Sequence, residues 1–314
     1  MKNLDKVKEY ISKQVLKNKS FEFFYNKGID FYNRQEYESA IKYFKLSTEQ
    51  KDAKPPAYYN LALAHQHMKE YDKATLVYHK FLLLSPNDYD GLYNIALIYY
   101  MKEDYLKAIE YFEKCVELKI DEDGVKALVL AYLNSNKMQE AIDFADRIFQ
   151  IPEIGIKLYY AIAKTFENKH SLNKDFTFID KAIEMYSRII EQEPENFDVY
   201  LSISICYAKK GEWENSVDYC KRAIQINPES YDANNQMGLV YYCCNELKEA
   251  IKHYETALGL KPDDYKIYSN LGYAYEKIGD FNKAVKIFSQ LVKKFPQMPA
   301  KDEIKNHLRI LKTL

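Results

Sequence analysis

Four of the chain's nine prolines, Pro194, Pro228, Pro262 and Pro296, stand 34 residues apart. A helix cannot run on through proline, so one recurring at this interval cuts the chain into equal units, and such a period constrains architecture before any local propensity does. A small residue keeps the same beat at Ala40, Ala74, Ala108, Ala141, Ala182, Ser216, Ala250 and Ala284, in steps of 34, 34, 33, 41, 34, 34 and 34. Twelve residues before it runs a second small series, Gly28, Ala62, Ala96, Val129, Ser204, Gly238 and Gly272. Four residues after it comes an aromatic, at Phe44, Tyr78, Phe112, Tyr186, Tyr254 and Phe288. The chain therefore reads as eight tandem repeats: 21–54, 55–88, 89–121, 122–155, 156–196, 197–230, 231–264 and 265–298.

The physics of one repeat is clearest in 231–264. Ala233, Met237, Val240 and Tyr241 mark one face of a first helix. Leu247, Ala250, Ile251, Tyr254, Ala257 and Leu258 mark one face of a second, with Asn245 at the turn between them. Pro262 stops the second helix and the aspartates after it cap the next. Gly238 and Ala250 are expected to be small because the two antiparallel helices cross closest there, and Tyr254 to fill the wider gap toward the neighbouring repeat. One hairpin cannot bury its apolar face alone, so stability has to come from stacking.

The pairs Met237-Gly238, Leu271-Gly272, Leu61-Ala62 and Ile95-Ala96, the tyrosines three residues later (Tyr241, Tyr275, Tyr99), the alanines of the second helices and the terminal prolines together carry a resemblance. The pattern resembles the tetratricopeptide repeat family over residues 21–298. That resemblance implies an all-α, right-handed superhelical solenoid of antiparallel helix pairs with terminal capping helices. Two repeats depart from the pattern. The fourth has Lys126 and Val129 where bulky and small residues are expected, and Ala145 at the aromatic position. The fifth carries about seven extra residues within 170–177, expected to lengthen the turn between its helices. Residues 1–20 read as an N-terminal amphipathic helix with Leu4, Val7, Ile11 and Val15 on one face and Ser20 as a cap for the helix that follows. Residues 299–314 read as a C-terminal capping helix with Ile304, Leu308 and Leu311 at helical spacing.

Charge and cysteine usage exclude several function classes. The formal charge is −1, with basic ends and a mildly acidic middle, so no bulk positive field points to nucleic acid. Five cysteines without a C-x-x-C pair do not make a disulfide framework. No apolar stretch approaches the ~18 residues of a membrane span. The opening Met-Lys-Asn-Leu-Asp-Lys is charged where a secretory leader would be apolar, and a cytoplasmic location is expected. His65 and His67 do not share a helix face, and Cys206, Cys220, Cys243, Cys244 and His253 read as packing or surface residues, so no metal and no cofactor are expected. No phosphate loop, nucleophile elbow or zinc-protease motif occurs, and no catalytic residue is assigned.

The resemblance implies that the first helix of each pair lines a concave groove, with binding carried by positions 2, 5, 6, 9, 12 and 13 of the repeat. Position 6 then holds Asn26, Asn60, Asn94, Gln236 and Asn270; position 5 holds Tyr25, Tyr59, Tyr93 and Asn235. Position 9 holds Ile29, Leu63, Leu97 and Leu239, and position 12 holds Tyr32, Tyr100 and Tyr242. An asparagine amide offers one acceptor and two donors, the complement of a peptide bond, and tyrosine adds apolar area with a directional hydroxyl. The row resembles the asparagine ladder in the repeat domain of O-linked N-acetylglucosamine transferases, without any transferase domain. Read as a peptide ladder, Asn60 and Asn94 are expected to tolerate alanine with little change in melting temperature. Asn at position 6 and Tyr at position 5 are also generic to this repeat, which leaves a scaffold role open. The carboxylate clamp of chaperone-binding repeats is not reproduced: Tyr25, Ile29, Asn60, Asp90 and Asn94 stand at its places, and only an asparagine matches.

The function expected is a non-catalytic scaffold or adaptor that holds a protein or extended peptide in a neutral groove of Tyr, Leu and Asn. One alternative is a self-associating structural module, a homo-oligomer whose groove or N-terminal helix is covered by another copy. Another is a peptide-sensing regulator. Nucleic acid and membrane are not expected partners.

Overall fold

The computed structural model describes residues 20–152, 154–173, 176–299 and 301–313. Among these residues the secondary structure is helical, with no strand. The helices come in pairs: α1 (Phe21–Asn33) with α2 (Tyr37–Thr48), α3 (Pro55–His67) with α4 (Tyr71–Leu84), α5 (Tyr89–Met101) with α6 (Tyr105–Leu118), and α7 (Glu122–Asn134) with α8 (Met138–Phe149). Then follow α9 (Gly155–Asn173) with α10 (Phe176–Gln192), α11 (Phe197–Lys210) with α12 (Trp213–Ile226), α13 (Tyr231–Cys243) with α14 (Leu247–Leu260), α15 (Tyr265–Lys277) with α16 (Phe281–Lys294), and a last helix, α17 (Lys301–Leu311). Contacts divide the chain into an N-terminal body, Met1–Ile148, and a C-terminal body, Phe149–Leu314. In each body a second helix packs on the first helix of the next repeat.

Local chemistry sets where each helix begins and ends. The backbone N–H groups of the first turn lack intrahelical partners, and a short polar side chain just before the helix supplies one. Asp88 accepts from the Gly91 N–H at 2.8 Å, Asp121 from Gly124 at 2.9 Å and Ser230 from Ala233 at 3.2 Å. Ser20 caps α1 as expected. Seven of the first helices are followed within two residues by one in the left-handed region: Gln35, Lys69, Glu103, Asn136, Gly211, Asn245 and Gly279. The next N–H then reaches back to a carbonyl in the last turn, as Glu36 does to Phe31 at 3.0 Å and Asp280 to Tyr275 at 2.9 Å.

Packing extends one expectation and corrects another. Tyr254 joins the buried cluster of Ile267, Tyr268 and Leu271 in the next repeat, and its ring also lies on Gly238 of its own repeat, where a Cβ would meet it at 2.5 Å. Gly28 sits under Phe44 in the same way. The smallness of the first series thus makes room for the aromatic sixteen residues on, and the fourth repeat exchanges the sizes, with Val129 and Ala145 both fully buried. The close crossing of the two small series is visible in the sixth repeat. There Ser204 Oγ donates to the Ser216 carbonyl at 2.9 Å and Ser216 Oγ to the Ser204 carbonyl at 2.8 Å. The extra residues of the fifth repeat do not lengthen a turn. They are taken up as helix, giving α9 19 residues and α10 17. At the far end α17 packs on α16 and buries Ile304 and Leu311, as a solenoid cap should. The N-terminal helix expected over residues 1–20 lies outside the described residues apart from Ser20.

Candidate functional site

In each body the first helices carry incompletely covered apolar side chains at position 9 of the repeat. Ile29, Leu63 and Leu97 are half-buried in the N-terminal body; Leu239 is 42% exposed in the C-terminal body. In the C-terminal body α11 also touches α13, and α13 touches α15. Successive first helices thus approach one another directly, which is the condition for the side chains between them to form one wall.

Beside those side chains the structure reveals how the polar residues are used. Asn60 Nδ2 donates to the Tyr25 hydroxyl at 2.9 Å, and Asn94 Nδ2 to the Tyr59 hydroxyl at 3.1 Å, each across 35 residues. Asn94 also donates to the Asp90 carbonyl at 2.8 Å, so both of its N–H groups are occupied and only its oxygen remains. Asn270 donates to Asn235 Oδ1 at 3.1 Å, and in the fifth and sixth repeats Tyr160 and Ser202 pair at 3.0 Å. Position 5 of one repeat is therefore tied to position 6 of the next. Asn26, at the start of the row, is exposed, and Tyr93, facing Ala127 at the next position 6, stacks on Tyr89 instead.

Positions 12 and 13 make a parallel set of ties. Tyr32 meets the His67 ring edge-on at 5.5 Å, Asn134 donates to the Tyr100 hydroxyl, and Lys277 Nζ lies 4.3 Å from the centre of the Tyr242 ring. Burial holds the phenols of Tyr32, Tyr59, Tyr93 and Tyr100 above their ordinary pKa, so all stay protonated donors at neutral pH. Between the fifth and sixth repeats the tie is ionic. Glu167, with a side chain only 2% exposed, takes Lys209 at 2.7 Å and Lys164 at 2.8 Å, and accepts from the Tyr186 hydroxyl at 3.1 Å. Burial pushes the Glu167 carboxyl up, but the two ammonium groups outweigh it and hold it below the ordinary range. Sequence reasoning missed this cluster. Its signal was Lys164 at position 9, where the other repeats carry Ile, Leu or Tyr, with Glu167 at position 12 and Lys209 at position 13 of the next repeat to pair with.

One junction is different. Between the sixth and seventh repeats Leu201 occupies position 5 and Ala208 position 12, and neither side chain can accept or donate. Gln236, opposite Leu201, is 9% exposed, and its Nε2 has no hydrogen-bond partner among the described residues.

The other chemical candidates are packed or solvated. Burial pushes the thiols of Cys115, Cys206 and Cys220 up to about 12, which keeps them protonated and inert. Among the described residues no three His, Cys, Asp or Glu side chains come together as a metal site, and no helix is long and apolar enough to cross a membrane.

Models of the tetratricopeptide repeat match residues 55–88, 89–121, 175–231 and 268–297, and one described as TPR repeat matches 240–279, together more than half of the chain. A TPR repeat-containing protein of Methanocaldococcus jannaschii is 24% identical over 189 residues, 57% of this chain and 31% of that protein. Stress-induced-phosphoprotein 1 of Caenorhabditis elegans is 22% identical over 188 residues, 51% of this chain and 59% of that protein. The chain thus spans only part of the length of either curated relative. Among solved structures, MamA of Desulfovibrio magneticus RS-1 superposes with a TM-score of 0.46 at 14% identity, over 55% of this chain and 94% of that one. YrrB, described as a TPR protein with an unusual peptide-binding site, superposes with a TM-score of 0.37 at 21% identity, over 60% and 95%.

Proposed function

This chain belongs to the tetratricopeptide repeat family, and from that premise we propose that it is a non-catalytic scaffold or adaptor that holds an extended segment of a protein partner along its first helices. The observation that carries this reading is the partly exposed apolar residue that recurs at position 9, Ile29, Leu63 and Leu97 in one body and Leu239 in the other, flanked by tyrosines and amides. Such a wall gains affinity from apolar area, with polar groups fixing direction. The side chains at positions 5, 6, 9 and 12 named above are neutral, so it suits a neutral segment. A library of displayed random dodecapeptides selected against the full chain tests the reading. Selected peptides should lose at least about tenfold in affinity when Leu63, Leu97 and Leu239 are changed together to Asp. Peptides that bind this variant as well as they bind the original chain dock elsewhere, and the groove would then be the wrong surface.

A second reading, association of copies, is favoured by Leu76 and Leu83. They lie seven residues apart on one face of α4 and are 60% and 84% exposed. Light scattering across a concentration series separates the two: a mass that stays monomeric removes self-association.

A further inference from the structure

Gln236 breaks a rule that the rest of the groove keeps. In both bodies, neighbouring repeats are tied through position 5 to position 6, through position 12 to position 13, or through both, with the sixth and seventh repeats as the exception among the described residues. The amide of Gln236 occupies the place where Asn60, Asn94, Ser202 and Asn270 find a partner, and Leu201 offers it none. A buried N–H without an acceptor costs free energy for as long as none arrives, and native chains carry few of them. At position 9 of the same two repeats stand Ile205, half-buried on α11, and Leu239, three residues on from Gln236 along α13 and exposed.

We propose that this seam is where the chain grips a partner's backbone: Gln236 Nε2 donates to a main-chain carbonyl of an extended peptide whose apolar side chain rests on Ile205 and Leu239. The proposal rests on the reading of the groove as a peptide site and places the backbone contact in the C-terminal body rather than on Asn60 and Asn94, which already donate to Tyr25 and Tyr59. In the free chain the nitrogen is enclosed. Rotation about the terminal amide torsion, which is soft in glutamine, turns it to the arriving carbonyl. The other way to satisfy the amide is a trapped water, which would leave peptide affinity indifferent to this residue.

The test uses the dodecapeptides selected on the full chain and two variants. Gln236→Leu removes the donor at nearly constant volume and is expected to raise the dissociation constant of the selected peptides about tenfold while leaving the melting temperature equal or higher. Leu201→Tyr restores the partner that the first, second and fifth repeats possess; it should occupy Gln236, weaken the same peptides and raise the melting temperature. The discriminating probe is a set of the same peptides with single backbone amides replaced by esters, whose carbonyls accept more weakly. One ester should weaken binding to the original chain and have no effect on Gln236→Leu. Peptides that bind Gln236→Leu within twofold of the original chain overturn the proposal, whether or not the Leu63, Leu97 and Leu239 variant has lost them. If that apolar variant also binds unchanged, or if no peptide is selected, the peptide-groove reading fails with it.

Discussion

The junction of the first two repeats and the junction of the sixth and seventh use the same helix positions and arrive at opposite chemistry. In the first, Tyr25 and Asn60 satisfy each other and Tyr32 meets His67, so the polar residues of the wall are consumed in joining repeat to repeat. In the second, Leu201 and Ala208 supply nothing, and Gln236 keeps a buried donor unused. A residue type at a groove position therefore does not identify a ligand contact. What decides its role is whether the preceding repeat offers it a partner, because a hydrogen bond already made inside the fold must be broken before the group can serve a ligand.

The sharpest test of that contrast is the most heavily tied junction. Glu167→Gln leaves Lys164 and Lys209 facing a neutral amide and is expected to cost about 3 kcal/mol, read as faster hydrogen exchange in α9 and α11. The carboxyl is held below its ordinary pKa in the fold, so its contribution is present above pH 4.5 and is lost as the pH falls below that value. The original chain should show this acid limb in melting experiments, and in Glu167→Gln it should be shallower. An unaltered acid limb would mean that other carboxylates govern acid stability.

Next in size is the pair Asn60→Ala and Asn94→Ala. Each removes a tie to a tyrosine and should cost about 1 kcal/mol, so the melting temperature should drop, contrary to what a free peptide ladder implies. A double variant with unchanged melting but impaired binding would restore the ladder and erase the contrast. Gln236→Leu is smaller and of opposite sign, a gain of up to about 1 kcal/mol, because an unsatisfied group is replaced by an apolar one of similar shape. A clear loss of stability there would reveal a partner for the amide. The smallest effect is that of salt. Between about 0.05 and 0.5 M, affinity for the selected peptides should change less than about twofold, since the contacts proposed are apolar and neutral. A steep decline would shift attention to the lysines of the fifth and sixth repeats.

Much of the fold was legible because its determinants act at short range. Ser20 and Asp264 cap the helices they precede, Pro262 follows the end of α14, and Asn245 adopts the left-handed turn conformation between α13 and α14. The insertion in the fifth repeat was misread for a physical reason. A change in spacing shows that residues were added, whereas whether they extend a loop or two helices depends on what the longer helices find to pack against. Phe166 and Phe178, both buried and in contact, lie in those longer helices.

The groove divides in the same way. The period, the helix pairs and the recurring apolar residue follow from the sequence alone, because proline, small residues and helical spacing exert their effects within a turn or two of where they stand. The partners of Asn60, Asn94 and Asn270, and the lack of one for Gln236, were decided only by stacking. It sets residues 35 apart side by side, and two amides that look alike in the sequence differ by the single neighbour that the preceding repeat presents.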